Sequence, residues 1–68
     1  RYRKLIKALI LKRELKNITQ VQLASSLKKP QSYVAKVENF ERRIDVLELH
    51  DWLNVLGISI VNFLEENL

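Results

Sequence analysis

The sequence contains no cysteine, and glycine and proline occur only once each among its 68 residues. Without cysteine, the chain can form neither a disulfide framework nor a cysteine-based zinc site. A hydrophobic fraction of 47%, with so few turn-forming residues, excludes a disordered chain. No apolar run reaches the ~20 residues that a membrane span requires, so no membrane partner is expected. One small domain over residues 1–68 remains, and its size favours binding over catalysis.

Basic residues are absent after residue 43. All 12 lysines and arginines lie in residues 1–43 beside only three acidic residues, which gives this segment a net charge of +9. Residues 44–68 carry five acidic residues and no basic one, and this charge of −5 brings the formal net charge to +4. Such segregation favours a polyanionic partner, either nucleic acid or a lipid surface, over the plain alternative of a solvated surface. No signal peptide is expected. Because the first residue is arginine and not methionine, the sequence is expected to be a piece of a longer chain.

The apolar residues follow a helical period along the whole chain, and no window shows the sustained two-residue alternation of a strand. The pattern predicts an all-α domain of five short helices. The first four are expected at residues 2–16, 20–27, 31–38 and 46–56, and a short fifth helix is expected after Ser59.

Capping signals support these boundaries. Thr19 with Gln22, and Asp45 with Glu48, have the spacing of capping boxes, in which each side chain bonds the other residue's backbone amide. Gly57, the one glycine, is expected just past the end of the fourth helix, where a left-handed conformation is favoured.

The second and third helices are joined by a turn of only three residues, 28–30, which is typical of a helix-turn-helix. Pro30 cannot continue the second helix but is well placed to begin the third. The outward side chains of the third helix include glutamine, serine and lysine, which can hydrogen-bond base edges in the major groove of DNA.

The run ITQVQLASSLKKPQSYVAKVEN at residues 18–39, with the ERR-D stretch that follows, resembles the helix-turn-helix of the Xre family, the phage lambda/434 repressor and Cro type. The resemblance spans nearly the whole chain and is specific as a combined pattern. It implies a compact five-helix lambda repressor-like fold with the helix-turn-helix at helices 2 and 3. It also implies a transcription regulator, in particular a repressor, that binds a short inverted repeat of double-stranded DNA as a homodimer. The implied location is the cytoplasm of a prokaryote or phage host, at the nucleoid.

The resemblance assigns roles residue by residue. It implies that bases are read by Gln31, Ser32, Tyr33 and Lys36. It implies that DNA phosphates are contacted by Thr19, Gln20, Lys28, Lys29, Asn39, Arg42 and Arg43, although the two lysines are as readily solvated turn residues. It also implies a structural ion pair between Arg13 and Glu38. Arg1, Arg3 and Lys4 either follow the DNA backbone as an arm or belong to a frayed terminus.

Two positions depart from the family pattern. Lys28 stands where the turn often has glycine, so it must either adopt a positive φ or belong to a different turn that Pro30 enforces. Phe40 also stands where many members have glycine, which puts the aim of Arg42 and Arg43 in question. The aromatic ring is then expected to pack against the core or a partner.

The last segment is more apolar than one buried helix face requires, which predicts either simple exposure or a self-complementary dimer patch. The dimer residues expected in this segment are Ile60, Phe63 and Leu64, and Trp52 is expected either at the same interface or in the core. An antitoxin or adaptor that uses the same fold to hold another protein is the alternative function, and a membrane-surface peptide is a weaker one.

Catalysis has no support in the sequence. His50 has no second histidine or cysteine with which to bind a metal, and the serines have no adjacent base. The capping box accounts for the carboxylates of Asp45 and Glu48. We therefore expect no enzyme activity, no metal and no cofactor.

Overall fold

Five α-helices and no strand make up the computed structural model, which describes all of residues 1–68. This confirms the predicted all-α class. The helices are α1 (Tyr2–Leu15), α2 (Gln20–Leu27), α3 (Gln31–Glu38), α4 (Val46–Leu56) and α5 (Ile60–Asn67). The first helix ends one residue earlier than predicted. None of the five combines the length and the apolar character that crossing a membrane requires.

Both predicted capping boxes are present. The Thr19 hydroxyl accepts from the Gln22 amide at 3.1 Å, and the Gln22 side chain accepts from the Thr19 amide at 2.9 Å. The corresponding distances between Asp45 and Glu48 are 2.7 and 3.1 Å. These bonds satisfy amides that have no partner inside a helix, and they set where α2 and α4 begin.

Residues in the left-handed region follow the ends of four helices, and Asn17 does so after α1 with φ +57°. Gly57 ends α4 with φ +72°, as predicted. Lys28, at the end of α2, adopts a positive φ of +58°. Of the two alternatives, the lysine therefore takes the left-handed conformation, and Pro30 does not enforce a different turn. Phe40 also has a positive φ, +64°, and its ring packs against the core. Each non-glycine residue in this region costs about 1–2 kcal/mol.

Trp52 and Phe63 lie in the core and are 1% and 0% exposed within a single chain. Trp52 is thus a core residue and not an interface residue, and the prediction that Phe63 lies at a dimer interface is wrong. A domain this small buries its few bulky residues because little other apolar volume is available. Ala24 is buried where α2 and α3 meet, which fits the small side chain that this crossing requires.

The predicted ion pair between Arg13 and Glu38 is present in the core and joins α1 to α3. Arg13 Nε and Nη2 donate to the two carboxylate oxygens of Glu38 at 2.7 and 2.9 Å, and the residues are only 8% and 7% exposed. Arg13 Nη1 donates to the Ile18 carbonyl at 2.7 Å. The hydrogen bond to Glu38 raises the pKa of Arg13 despite its burial. The fork geometry is the strong form of such a pair.

Replacing Arg13 with methionine is expected to lower the free energy of unfolding by about 3–5 kcal/mol, because Glu38 is then left as an unpaired buried charge. The double variant R13M/E38M should recover much of this loss, since neither charge remains. Urea unfolding followed by circular dichroism measures both effects. Lys12→Met is the matched control, because Lys12 pairs with Glu66 at the surface, where a pair contributes at most about 1 kcal/mol. Equal losses in R13M and K12M would contradict the structural role of the buried pair.

Candidate nucleic-acid interface

One side of α3 presents polar side chains to solvent. Gln31, Ser32 and Lys36 are exposed, and Ala35 lies half-buried between them. At 100° per residue these four positions fall within about 140° of the helix circumference. Val34 and Val37 occupy the opposite side and are fully buried. The structure therefore brings three of the four predicted base-reading residues together on one exposed face.

Tyr33, the fourth predicted base-reading residue, turns inward and is only 9% exposed. Its hydroxyl donates to Glu48 Oε2 at 3.0 Å and accepts from Trp52 Nε1 at 3.1 Å. Burial raises the pKa of this hydroxyl. The prediction that Tyr33 reads a base is therefore wrong. The sequence contained a signal for this, because positions 33, 34 and 37 share one side of a helix.

The exposed start of α3 is connected to the buried ion pair through Gln20. Gln20 Nε2 donates to Glu38 Oε1 at 2.9 Å, and Gln31 Nε2 approaches Gln20 Oε1 at 3.5 Å. Glu38 Oε1 also accepts from Arg13. A continuous series of hydrogen-bonding groups thus runs from the core to the surface.

Two cations flank the buried ring of Tyr33. Lys29 Nζ lies 5.6 Å from the ring centroid, and Arg42 Cζ lies 4.8 Å from it. The Arg42 guanidinium also contacts both carboxylate oxygens of Glu48, at 3.3 and 3.0 Å. Sequence reasoning assigned Glu48 to the capping box alone and missed this second contact.

The other predicted phosphate-contacting residues lie around α3. Lys28, Lys29 and Asn39 are exposed at the turn before the helix and at its end. Thr19 uses its hydroxyl oxygen as the acceptor in the capping box, which leaves the hydroxyl hydrogen to donate. Arg43 stacks on Tyr2, with its Cζ 4.1 Å from the ring centroid. The loop thus directs Arg42 and Arg43 against different aromatic rings.

A family model described as helix-turn-helix matches residues 9–63. This chain belongs to the XRE-type helix-turn-helix family. A solved structure of an XRE-family like protein from Pseudomonas syringae pv. tomato str. DC3000 is 40% identical and superposes with a TM-score of 0.92. That comparison covers 96% of this chain and 79% of the other. No curated protein matches the chain.

Membership of the XRE-type family makes this chain a double-stranded DNA-binding domain of a transcription regulator. In a helix-turn-helix the second helix of the pair enters the major groove, and in this chain the second helix of the pair is α3. The exposed polar face of α3 therefore belongs to the second helix of the pair.

Glu48 links the stability of this XRE-type domain to pH. Burial raises the pKa of Glu48, but hydrogen bonds from the Asp45 amide, Arg42 and Tyr33 outweigh burial and hold the pKa below its ordinary value of 4.5. A carboxyl group with a lowered pKa stabilises the fold above the ordinary value, and this contribution disappears as the pH falls through the folded-state pKa.

We expect Glu48→Gln to remove part of the loss of stability below pH 4.5. Glutamine does not titrate, and its one side-chain oxygen can still accept from the Asp45 amide in the capping box. Its amide nitrogen takes the place of the oxygen that accepts from Tyr33, so that hydrogen bond is lost at every pH. Urea unfolding at a series of pH values measures this difference. Glu65→Gln, the same change at an exposed carboxylate of α5, should keep the acid dependence of the wild type. A Glu48→Gln variant that loses stability in acid as steeply as the wild type would contradict this role.

Proposed function

We propose that this domain is a sequence-specific repressor that binds a short inverted repeat as a homodimer, in the cytoplasm and on the nucleoid of a prokaryote or phage host. Gln31, Ser32 and Lys36 of α3 read the bases. The observation that carries this proposal is the set of contacts that orients Gln31.

The orientation of Gln31 follows from the chemistry of its neighbours. A carboxylate only accepts hydrogen bonds, so Gln20 must turn its amide nitrogen toward Glu38 and its oxygen outward. Gln31 must then turn its own nitrogen toward Gln20. One N–H and the carbonyl oxygen of Gln31 remain free. These two groups match adenine, whose N7 accepts and whose N6 amino group donates.

Phosphate contacts supply the affinity in this proposal. The residues assigned to them are Thr19, Gln20, Lys28, Lys29, Asn39, Arg42 and Arg43. Gln20 keeps one N–H free beyond its bond to Glu38. Lys29, before α3, and Arg42, after it, both contact the Tyr33 ring, which holds their charges near the recognition helix.

Charge segregation orients the domain on its target. The exposed acidic residues of α4 and α5, Asp51, Glu65 and Glu66, lie in the segment that carries no basic residue. This segment is repelled by phosphate, whereas residues 1–43 with their net charge of +9 are attracted. Long-range electrostatics therefore favours an approach with the helix-turn-helix toward DNA.

Selection of bound sites from random duplex DNA tests this function. A palindromic consensus supports a homodimer that reads sequence, whereas no enrichment would favour the antitoxin or adaptor alternative. Against the selected site, Gln31→Ala should reduce discrimination over random DNA by about 1–3 kcal/mol. Lys29→Gln is the contrasting variant, because loss of a phosphate contact weakens binding to both DNAs alike. An equal loss for both DNAs in Q31A would show that Gln31 does not read a base.

An apolar face of α5 supports the proposed dimer. Ile60, Val61 and Leu64 fall within about 100° of the helix circumference, and Leu68 directly follows the helix. Val61 and Leu68 are 61% and 69% exposed. Ile60 and Leu64 are half-buried, whereas Phe63 points into the core. The proposed dimer face therefore includes Val61 and Leu68 and excludes Phe63. Two copies joined there would need to present their recognition helices about 34 Å apart.

Val61→Lys is expected to weaken the dimer, because a charge then enters the apolar face. Sedimentation velocity over a range of protein concentrations measures the change. Val46→Lys on α4 is the matched control, since Val46 is similarly exposed, at 63%, and lies on another helix. A wild-type protein that binds its palindrome as a single copy would rule out the dimer proposal.

A further inference from the structure

A cationic pocket lies where the start of α1 meets the loop after α3. Its volume is about 310 Å³, and it is lined by Arg1, Tyr2, Arg3, Phe40 and Arg43. Three arginines and two aromatic rings thus surround one concavity, and no acidic residue lines it. Its composition is that of a site for an anion.

The guanidinium groups of Arg3 and Arg43 are held by aromatic rings rather than by carboxylates. Arg3 Cζ lies 4.6 Å from the Phe40 ring centroid, and Arg43 Cζ lies 4.1 Å from that of Tyr2. A cation–π contact occupies the face of a guanidinium and leaves its in-plane N–H groups free. Neither side chain takes part in an ion pair within the chain, whereas Arg42 is paired with Glu48. Arg3 and Arg43 therefore keep the fork that binds phosphate oxygens.

The walls of the pocket are fixed to one another. The Ile44 amide donates to the Tyr2 hydroxyl at 3.0 Å, which joins the start of α1 to the loop. Phe40 and Tyr2 are partly buried and pack against the core. The two arginines are thus presented from elements that this hydrogen bond joins, and Arg3 lies within the first turn of α1.

Two local costs meet at this pocket. The first turn of α1 contains no acidic residue, and Arg3 and Lys4 place positive charge where the helix dipole disfavours it. Phe40 keeps its ring at φ +64°, where glycine would be unstrained. Violations of local preference concentrate at functional sites. A bound anion would offset the unfavourable positive charge at the start of α1. The contact of the Phe40 ring with Arg3 explains why a strained phenylalanine stands where glycine would be unstrained.

We infer that this pocket binds a single phosphate of the DNA backbone, outside the stretch contacted by α2 and α3, through Arg3 and Arg43. Arg43 directly follows Arg42, whose guanidinium lies over Tyr33 of the recognition helix. The pocket therefore continues the row of cations from α3 toward α1. The inference rests on the proposed DNA-binding function and extends it to a residue outside the helix-turn-helix.

The salt dependence of affinity for duplex DNA tests the pocket. One phosphate contact contributes about 0.9 to the slope of log K against log salt concentration. Because both arginines share one phosphate, the double variant R3Q/R43Q should lower the slope by about 0.9. Two independent contacts would lower it by about 1.8 and would overturn the shared pocket. Circular dichroism confirms that each variant is folded.

The double variant K12Q/K16Q is the matched control, because it also removes two positive charges, toward the other end of α1 from the pocket. This control should leave the slope unchanged. A decrease equal to that of R3Q/R43Q would show that the effect comes from net charge and not from the pocket. Wild-type binding with an unaltered slope in R3Q/R43Q would overturn the pocket alone. Failure of the wild type to bind any duplex would overturn the DNA-binding proposal as well. Titration with inorganic phosphate forms a separate arm, in which tight binding and an unaltered DNA slope would assign the pocket to a free anion.

Discussion

The buried carboxylate of Glu38 is the group on which the arrangement of the first three helices depends. A buried charge must be paired and hydrogen-bonded, and a carboxylate can only accept. Arg13 from α1 and Gln20 from α2 supply the donors, at distances of 2.7 to 2.9 Å. One group therefore fixes α1 and α2 against α3, and it also decides which way Gln20 faces. Folding and the presentation of Gln31 at the surface share the same hydrogen bonds.

Aromatic rings hold the cations around α3. Tyr33, Tyr2 and Phe40 lie under four basic side chains at 4.1 to 5.6 Å. Long basic side chains lose rotamer freedom when they bind, and prior contact with a ring reduces that loss. The rings thus position charge without neutralising it. Arg42 is the exception, because Glu48 also contacts it, and this distinguishes it from Arg3 and Arg43.

Local signals in the sequence were sufficient for the helices and their ends. The capping boxes of Thr19 and Asp45 span three residues, and the left-handed position of Gly57 depends on the adjacent turn. The Arg13–Glu38 pair was predictable only through the family resemblance, since 25 residues separate its members. Phe63 and Tyr33 were misassigned, and Trp52 was left between core and interface, because their surroundings depend on which side of each helix the rest of the chain covers.

Periodicity, capping signals and charge along the chain were enough to predict five helices, a helix-turn-helix and a basic segment followed by an acidic one, because each of these is a local property. Only the packing of the helices showed that Tyr33 supports the cations rather than reading a base, and that α5 exposes Val61 while burying Phe63. It alone brought Arg3 over Phe40, 37 positions further along the chain. Such contacts join residues from separate elements, and packing of the helices around one small core determines which of them meet.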